Sequence, residues 1–310
     1  MSMVYLRSLN CGEMIKQMCI VSARGNGELI FLMSSMLSDI PAYLSRPLAG
    51  ISVLEYLRDE YYIGLDWWFM NLCYAVILIV GSTAMHFRGK PFQLTTFPII
   101  HNIFLCLLSL YMCLGACYYT LTTLSQAGLH SLYCDPVHRF DHGNWFISQI
   151  GVMFYLSKYY EFIDSFILVL RSSGFGNKSR LTVLHVWHHM TTSGMASMAL
   201  NSHFGFFYVM NGILNGGIHV AMYYYYAVSG MYEYKPWWKK YLTQMQINQF
   251  ITMEVISLVW LYYRYVIDDQ CPGTILVFIL GIVLVLSFIV LFRSFQRKNY
   301  SSSKNQKKVE

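Results

Sequence analysis

The sequence predicts an all-α integral membrane protein whose seven transmembrane helices form one bundle. Of its 310 residues, 55% are hydrophobic and only 12% are charged, whereas soluble domains contain about 25% charged residues. Because 17% of the residues are aromatic, the low charge does not reflect a disordered composition. The apolar residues are concentrated in runs close to the ~20 residues that a helix needs to cross a bilayer core.

The apolar runs divide the chain into three regions. An N-terminal extension, residues 1–65, has mixed composition and contains the helix-breaking residues Pro41 and Pro47. The seven-span domain covers residues 66–292, and a basic tail covers residues 293–310. The predicted spans are 66–85, 97–120, 146–170, 183–200, 204–228, 241–263 and 273–292, of which the fourth and fifth are the most polar.

The basic residues alternate between predicted loops and therefore predict the orientation of the chain. The loops after the first, third and fifth spans and the tail contain Arg88, Lys90, Arg171, Lys178, Arg180, Lys235, Lys239, Lys240, Arg293, Arg297, Lys298, Lys304, Lys307 and Lys308. The intervening loops contain Arg139 and Arg264. Since cytosolic loops are enriched in Lys and Arg, we expect a cytosolic C-terminus. The last four residues, 307–310, then resemble a dilysine signal for retrieval to the endoplasmic reticulum.

Two of the eight cysteines differ from the others in their surroundings. Most cysteines lie in apolar runs, where a thiol is usually a small packing group. Cys134 and Cys271 lie in polar segments on the predicted non-cytosolic side, where thiols can oxidise. Two alternatives follow, a disulfide between these loops or two unpaired thiols. The modest net charge of +6, without a regular basic and aromatic stripe, predicts no nucleic-acid partner.

Ionisable side chains in the third predicted span form the first candidate group. Lys158, Glu161 and Asp164 follow one another at intervals of three residues and therefore share a broad helix face. Lys158 and Glu161 alone could form a self-neutralising pair. Asp164 would then still need a partner, and a histidine is the natural one because a carboxylate fixes the imidazole tautomer.

The fourth and fifth spans supply imidazoles. His185, His188 and His189 form an HxxHH sequence, and on a helix His185 shares a face with the other two. Three imidazoles on one turn suit metal ligation, acid–base chemistry or nucleophilic chemistry. Asn215, His219 and Tyr223 form a second stripe at intervals of four. Gly216 and Gly217 lie within this stripe and allow close approach of a neighbouring helix or ligand.

These motifs together resemble the very-long-chain fatty acid elongases. The resemblance covers about residues 66–298 and comprises four ordered motifs: Lys158–Glu161–Asp164, the HxxHH from His185, the NxxxHxxMYxYY from Asn215 to Tyr226, and the TxxQxxQ of Thr243, Gln246 and Gln249. Cys134-Asp135-Pro136 and Trp237-Trp238-Lys239-Lys240 add to it. Ser165 departs from the threonine of the family pattern but keeps the hydroxyl.

The resemblance implies a 3-ketoacyl-CoA synthase of the endoplasmic reticulum, which condenses acyl-CoA with malonyl-CoA. It implies His188 as the nucleophile, with His185 and His189 orienting it or stabilising charge. His219 and Asn215 would hold the malonyl group and its enolate, and Glu161 and Asp164 would orient imidazoles. The remaining binding residues would be Lys158, Tyr223, Gln246, Gln249, Lys239 and Lys240.

The resemblance also implies the surroundings of the reaction. An apolar tunnel between the helices would take the acyl chain, and cationic loops would take the CoA phosphates. Membrane lipid and the other enzymes of the elongation cycle are the expected partners. We expect neither a metal nor another cofactor.

Two other classes of protein remain as alternatives. Membrane di-iron desaturases and hydroxylases also use HxxHH, and His138 and His142 add an HxxxH sequence. That class typically needs about eight histidine ligands on the cytosolic side, whereas this chain has 10 histidines in total and His138 and His142 lie on the predicted opposite side. A seven-span transporter, channel or receptor is the other alternative, although it would not account for the ordered motifs.

Overall fold

The computed structural model describes residues 63–134, 145–202, 204–232, 236–268 and 270–300. All regular secondary structure within these ranges is helical, and this confirms the predicted all-α class. Most of the predicted extension 1–65 lies outside the described residues. The dilysine sequence and the HxxxH sequence of His138 and His142 also lie outside them.

The helices follow the predicted spans closely. In chain order, the described α-helices are α1 (Ile63–Arg88), α2 (Thr96–Gln126), α3 (Gly128–Cys134), α4 (Trp145–Tyr160), α5 (Phe162–Leu170), α6 (Val183–Asn201), α7 (Gly205–Met210), α8 (Gly216–Met231), α9 (Lys239–Tyr262) and α10 (Ile275–Tyr300). A π-helical turn, Asn211–Asn215, connects α7 to α8, and a second one, Tyr263–Ile267, extends α9.

Four described helical segments are long and apolar enough to cross a membrane by length and composition. They are Trp67–Arg88, Thr96–Gln126, Tyr241–Ile267 and Ile275–Arg297, which correspond to the first, second, sixth and seventh predicted spans. The structure therefore supports a membrane protein but does not confirm seven spans. The third and fifth predicted spans are interrupted, at Glu161 and at Asn211–Asn215, and the fourth contains three histidines.

Small residues allow α8 and the preceding π-helical turn to pack closely along α2. A Cβ atom on Gly212 would lie 2.6 Å from the Ala116 Cβ, and one on Gly216 would lie 3.3 Å from the Cys113 Cβ. Because only a hydrogen fits at these positions, α2 and α8 approach each other through the glycines. A Cβ atom on Gly217 would be in ordinary contact, 3.8 Å from Cys113 Sγ.

A disulfide and an aromatic cluster lie together where α6 and α9 end and α10 begins. Cys134, the last residue of α3, forms a disulfide with Cys271 just before α10. Trp260 is fully buried, and its ring centre lies 4.8 Å from that of Phe204 and 5.3 Å from that of Phe278. The ends of α3, α6, α9 and α10 are thereby joined around one apolar core.

Candidate active site

Asp164 connects three helices. Its Oδ1 atom lies 2.8 Å from His101 Nε2 on α2, and its Oδ2 atom accepts a hydrogen bond of 2.8 Å from the Tyr223 hydroxyl on α8. The side chain of His101 is 1% exposed and that of Asp164 is 17% exposed. Both carboxylate oxygens are thus occupied by groups from neighbouring helices.

The sequence predicted a histidine beside Asp164, but His101 was not among the candidate residues. His101 lies alone in an apolar stretch of the second span. An ionisable residue at that depth usually has a functional or pairing role, and this signal could have identified it. The structure supplies the expected histidine partner of Asp164, and that partner is His101.

Glu161 lies in the interruption between α4 and α5 and is paired with Lys158. The Lys158 ammonium donates a hydrogen bond of 2.8 Å to Glu161 Oε1, and each residue is 2% exposed. His219 Nδ1 lies 3.8 Å from the same oxygen, beyond hydrogen-bond length. Glu161 Oε2 is buried without a hydrogen-bond partner, so the carboxylate retains a free acceptor inside the site.

The HxxHH sequence occupies the first turns of α6. Thr182 caps this helix, because its hydroxyl accepts a hydrogen bond from the His185 backbone N–H at 3.2 Å. His185 Nε2 lies 3.0 Å from the Ser165 hydroxyl, which lies 2.7 Å from the Tyr74 hydroxyl. His185 therefore contacts α5 through the serine that departs from the family pattern.

The three imidazoles of the HxxHH sequence form one contiguous group. The ring centre of His189 lies 4.4 Å from that of His185 and 5.3 Å from that of His188. His189 is 5% exposed, and its Nδ1 atom is buried without a hydrogen-bond partner. Unpaired buried polar atoms are rare in folded proteins, and among the described residues His189 Nδ1 and Glu161 Oε2 are two of them.

His188 faces an apolar cavity between α6, α7, α9 and α10. The cavity envelope contains about 760 Å³ free of protein atoms, part of it open to the outside. Lys158, Asn215 and Gln249 also line it, so His188 shares this wall with three other predicted site residues. Most of the remaining wall is apolar and includes Met195, Phe204, Phe207, Met253, Val277 and Phe278.

The other predicted binding residues are more scattered. His219 and Tyr223 lie one turn apart on α8, with ring centres 5.5 Å apart. The Gln246 amide lies 3.7 Å from Met222 Sδ, and the Gln249 amide lies 3.3 Å from Met253 Sδ. Both amides thus contact thioethers. The structure brings Gln249 to the cavity wall together with His188.

The predicted cationic loops are described only in part. Lys239 is exposed, with its ammonium 5.9 Å from the Tyr225 ring centre, whereas the side chain of Lys240 lies outside the described residues. Arg171 was not singled out as a binding residue, although it follows α5 directly. Burial lowers its pKa, and the nearby charge of Arg180 lowers the pKa further.

One group of three possible metal-ligand atoms lies close together in the described part of the chain. It consists of His130, Cys134 and Asp268. The Cys134 sulfur is already in the disulfide, so only an imidazole and a carboxylate remain there. Two ligands are fewer than structural metal sites use.

The fold and the site together define a class of protein. It is a helical membrane protein with a buried group of imidazoles and carboxylates beside an apolar cavity. Residues 66–308 match the sequence model of the GNS1/SUR4 family, also called ELO. This match covers most of the chain, and the protein therefore belongs to that family.

Individual relatives agree with this assignment. The chain is 34% identical over 254 residues to "Fatty acid elongase A" of Dictyostelium discoideum, an alignment that covers 77% of this chain and 88% of the relative. It is 30% identical over 253 residues to "Very long chain fatty acid elongase 5" of Xenopus laevis, covering 78% and 77% respectively. A third relative, "Fatty acid elongase sre1" of Dictyostelium discoideum, is 32% identical over 238 residues and covers 76% of this chain and 84% of its own.

Proposed function

We propose that this protein is a fatty acid elongase that condenses an acyl-CoA with malonyl-CoA to give 3-ketoacyl-CoA, CO2 and CoA. The observation that carries the proposal is the position of His188, an imidazole on the wall of an apolar cavity. The names of the relatives support the same activity. They also favour it over the di-iron and transporter alternatives.

In the first half-reaction, His188 is the nucleophile. One imidazole nitrogen attacks the thioester carbonyl carbon and the carbon–sulfur bond breaks. The other ring nitrogen releases its proton, with which CoA leaves as a thiol. The product is an acyl-imidazole, a reactive acyl donor. His185 and His189 orient His188, since the His189 ring lies between 4 and 6 Å from both of the other rings.

In the second half-reaction, the malonyl group supplies the carbon nucleophile. The bond to its free carboxylate breaks, CO2 leaves, and the electron pair becomes an enolate that attacks the acyl carbon. The carbon–nitrogen bond then breaks and returns its electron pair to His188, whose ring takes up a proton from water to become neutral again. Asn215 and His219 stabilise the enolate. Lys158 and Glu161 place an ammonium and a carboxylate beside His219.

We propose that this reaction takes place inside a membrane-embedded helix bundle. Seven spans surround the acyl cavity in the endoplasmic reticulum membrane, with the C-terminus in the cytosol. The exposed Lys239 and the neighbouring Lys240 meet the CoA phosphates at the cytosolic mouth. Other enzymes of the elongation cycle consume the 3-ketoacyl-CoA product.

The test is incubation of the purified protein with malonyl-CoA and a panel of acyl-CoAs, followed by mass analysis of the products. We expect a 3-ketoacyl-CoA two carbons longer than at least one of the acyl-CoAs. Failure of the whole panel to give such a product would contradict the proposed function.

The role of His188 has a separate test. Without malonyl-CoA, we expect the wild-type protein to retain an acyl group that hydroxylamine releases, and His188→Ala to lose at least 100-fold of this acylation, in line with the ~10²–10⁴-fold typical of a single catalytic group. His130→Gln is the matched control, because it alters a histidine on α3. Acylation of His188→Ala at the wild-type rate would show that another group is the nucleophile.

A further inference from the structure

Two polar residues on the cavity wall have no role in the proposed chemistry. Glu254 and Ser257 on α9 line the same apolar cavity as His188. Glu254 is half-buried, and Ser257 is 8% exposed. An ionisable group facing an acyl cavity is costly, because an apolar occupant strips water from it without supplying a hydrogen bond.

The described residues provide no partner for the Glu254 carboxylate. Their ion pairs involve Asp164, Asp268 and Glu161 as the acidic members, and their hydrogen bonds use only the backbone carbonyl of Glu254. Ser257 donates its hydroxyl proton to that carbonyl at 2.8 Å. The Ser257 oxygen and the Glu254 carboxylate are therefore both left as acceptors on the wall.

The depth of this pair in the cavity follows from the antiparallel packing of α9 and α10. The rings of Phe250 and Phe288 lie 5.4 Å apart, and those of Trp260 and Phe278 lie 5.3 Å apart. The His188 ring lies 5.2 Å from Phe288 and is therefore level with Phe250. At about 1.5 Å per residue, Glu254 lies about 6 Å beyond the level of His188.

By the same measure, Ser257 lies about 10 Å beyond that level and the buried Trp260 about 15 Å beyond it. Both acceptors therefore lie between the proposed reacting carbon and the aromatic end of the cavity. A hydrogen-bond donor in the middle of the acyl chain would pair with these acceptors. Among acyl chains, a hydroxyl group has this chemistry.

We propose that Glu254 and Ser257 form a binding site for a hydroxyl group on the acyl chain, so that the protein selects hydroxylated acyl-CoAs. This inference rests on the proposed function and adds a substrate class to it. The hydroxyl donates to Glu254, and this hydrogen bond offsets the desolvation that a plain methylene chain imposes on the carboxylate.

The experiment compares saturated acyl-CoAs of one chain length, either unsubstituted or with a hydroxyl at successive positions. The readout is kcat/KM for condensation with malonyl-CoA. For the wild-type protein, we expect one mid-chain hydroxyl position to be preferred over the unsubstituted chain by about three- to tenfold, as one hydrogen bond of ordinary net strength allows. Hydroxyls near either end of the chain should gain nothing.

Variants of Glu254 test whether its carboxylate causes the preference for a hydroxylated chain. Glu254→Leu should lose the preference because it removes the acceptor and accommodates a methylene chain, whereas Glu254→Gln should retain part of it. Val255→Ala is the matched control, since Val255 is 61% exposed on another face of α9. An equal preference in wild type and Glu254→Leu would overturn the inference. The lack of any preference in the wild-type protein would also overturn it, and this is the result expected if water alone occupies the site.

A binding measurement separates this inference from the proposed function. Thioether analogues of the same acyl-CoAs cannot react, and their Kd values for wild type and Glu254→Leu test the hydroxyl preference directly. Loss of the preference in Glu254→Leu supports the hydroxyl site even if no acyl-CoA is condensed. Condensation of unsubstituted chains without any hydroxyl preference in turnover or binding overturns the hydroxyl site alone.

Discussion

At the residue scale, the pairing of Asp164 with His101 is the contact that most changes our interpretation of the motifs. Asp164 belongs to a motif on α5, but its oxygens are occupied by His101 on α2 and Tyr223 on α8. His101 therefore acts as a positioning residue for Asp164. Among the described residues, its own buried Nδ1 atom has no hydrogen-bond partner.

This contact gives a prediction for His101→Ala. Removing one partner of a buried hydrogen bond leaves the other polar group unsatisfied, which typically costs about 1–3 kcal/mol. We therefore expect a lower Tm in detergent for His101→Ala and for Asp164→Ala. The double variant should lose less than the sum of the two single losses, because its second substitution removes a group that has already lost its partner. Additive losses would show that the two side chains do not interact.

At the scale of elements, glycines decide how the site is assembled. Gly212 and Gly216 bring the segment of His219 and Tyr223 close to α2. The Tyr223 hydroxyl can reach Asp164, and His219 can approach Glu161, only if that segment keeps its position. Helix packing and site geometry therefore depend on the same small residues.

The corresponding prediction concerns Gly212→Ala. The added Cβ atom would meet the Ala116 Cβ at 2.6 Å, and overpacking of this kind typically costs about 1–3 kcal/mol. We expect a lower Tm in detergent, with partial recovery in the double variant Gly212→Ala/Ala116→Gly. Gly217→Ala is the control, since its Cβ atom meets only Cys113 Sγ at 3.8 Å. Equal losses in both single variants would contradict this account of the packing.

At the scale of the whole molecule, the disulfide joins parts of the chain that are 137 residues apart in sequence. It fixes the end of α3 to the start of α10 beside the aromatic cluster that contains Trp260. Because α10 also forms part of the cavity wall, the disulfide stabilises the end of the cavity opposite His188.

Removal of the disulfide should therefore lower the stability of the bundle. We expect Cys134→Ser/Cys271→Ser to lose about 2–4 kcal/mol, the usual contribution of one disulfide. The protein should show a lower Tm without added reductant, while Cys73→Ser, which alters a free cysteine, should match wild type. Alkylation of Cys134 and Cys271 in the unreduced, unfolded protein would show that the bond does not form.

The sequence by itself predicted the all-α class, the helix positions and the residues that carry the family resemblance. These properties are local, because they depend on the length of apolar runs and on residues spaced along single helices. The sequence did not predict that His101 is the histidine beside Asp164. Nor did it predict that one oxygen of the Glu161 carboxylate has no hydrogen-bond partner among the described residues.

Only the tertiary structure decided these contacts, since they depend on which helices become neighbours. His101 and Asp164 are 63 residues apart, and no periodicity within either span links them. The same reason applies to the cavity, whose wall combines His188 on α6 with Glu254 on α9.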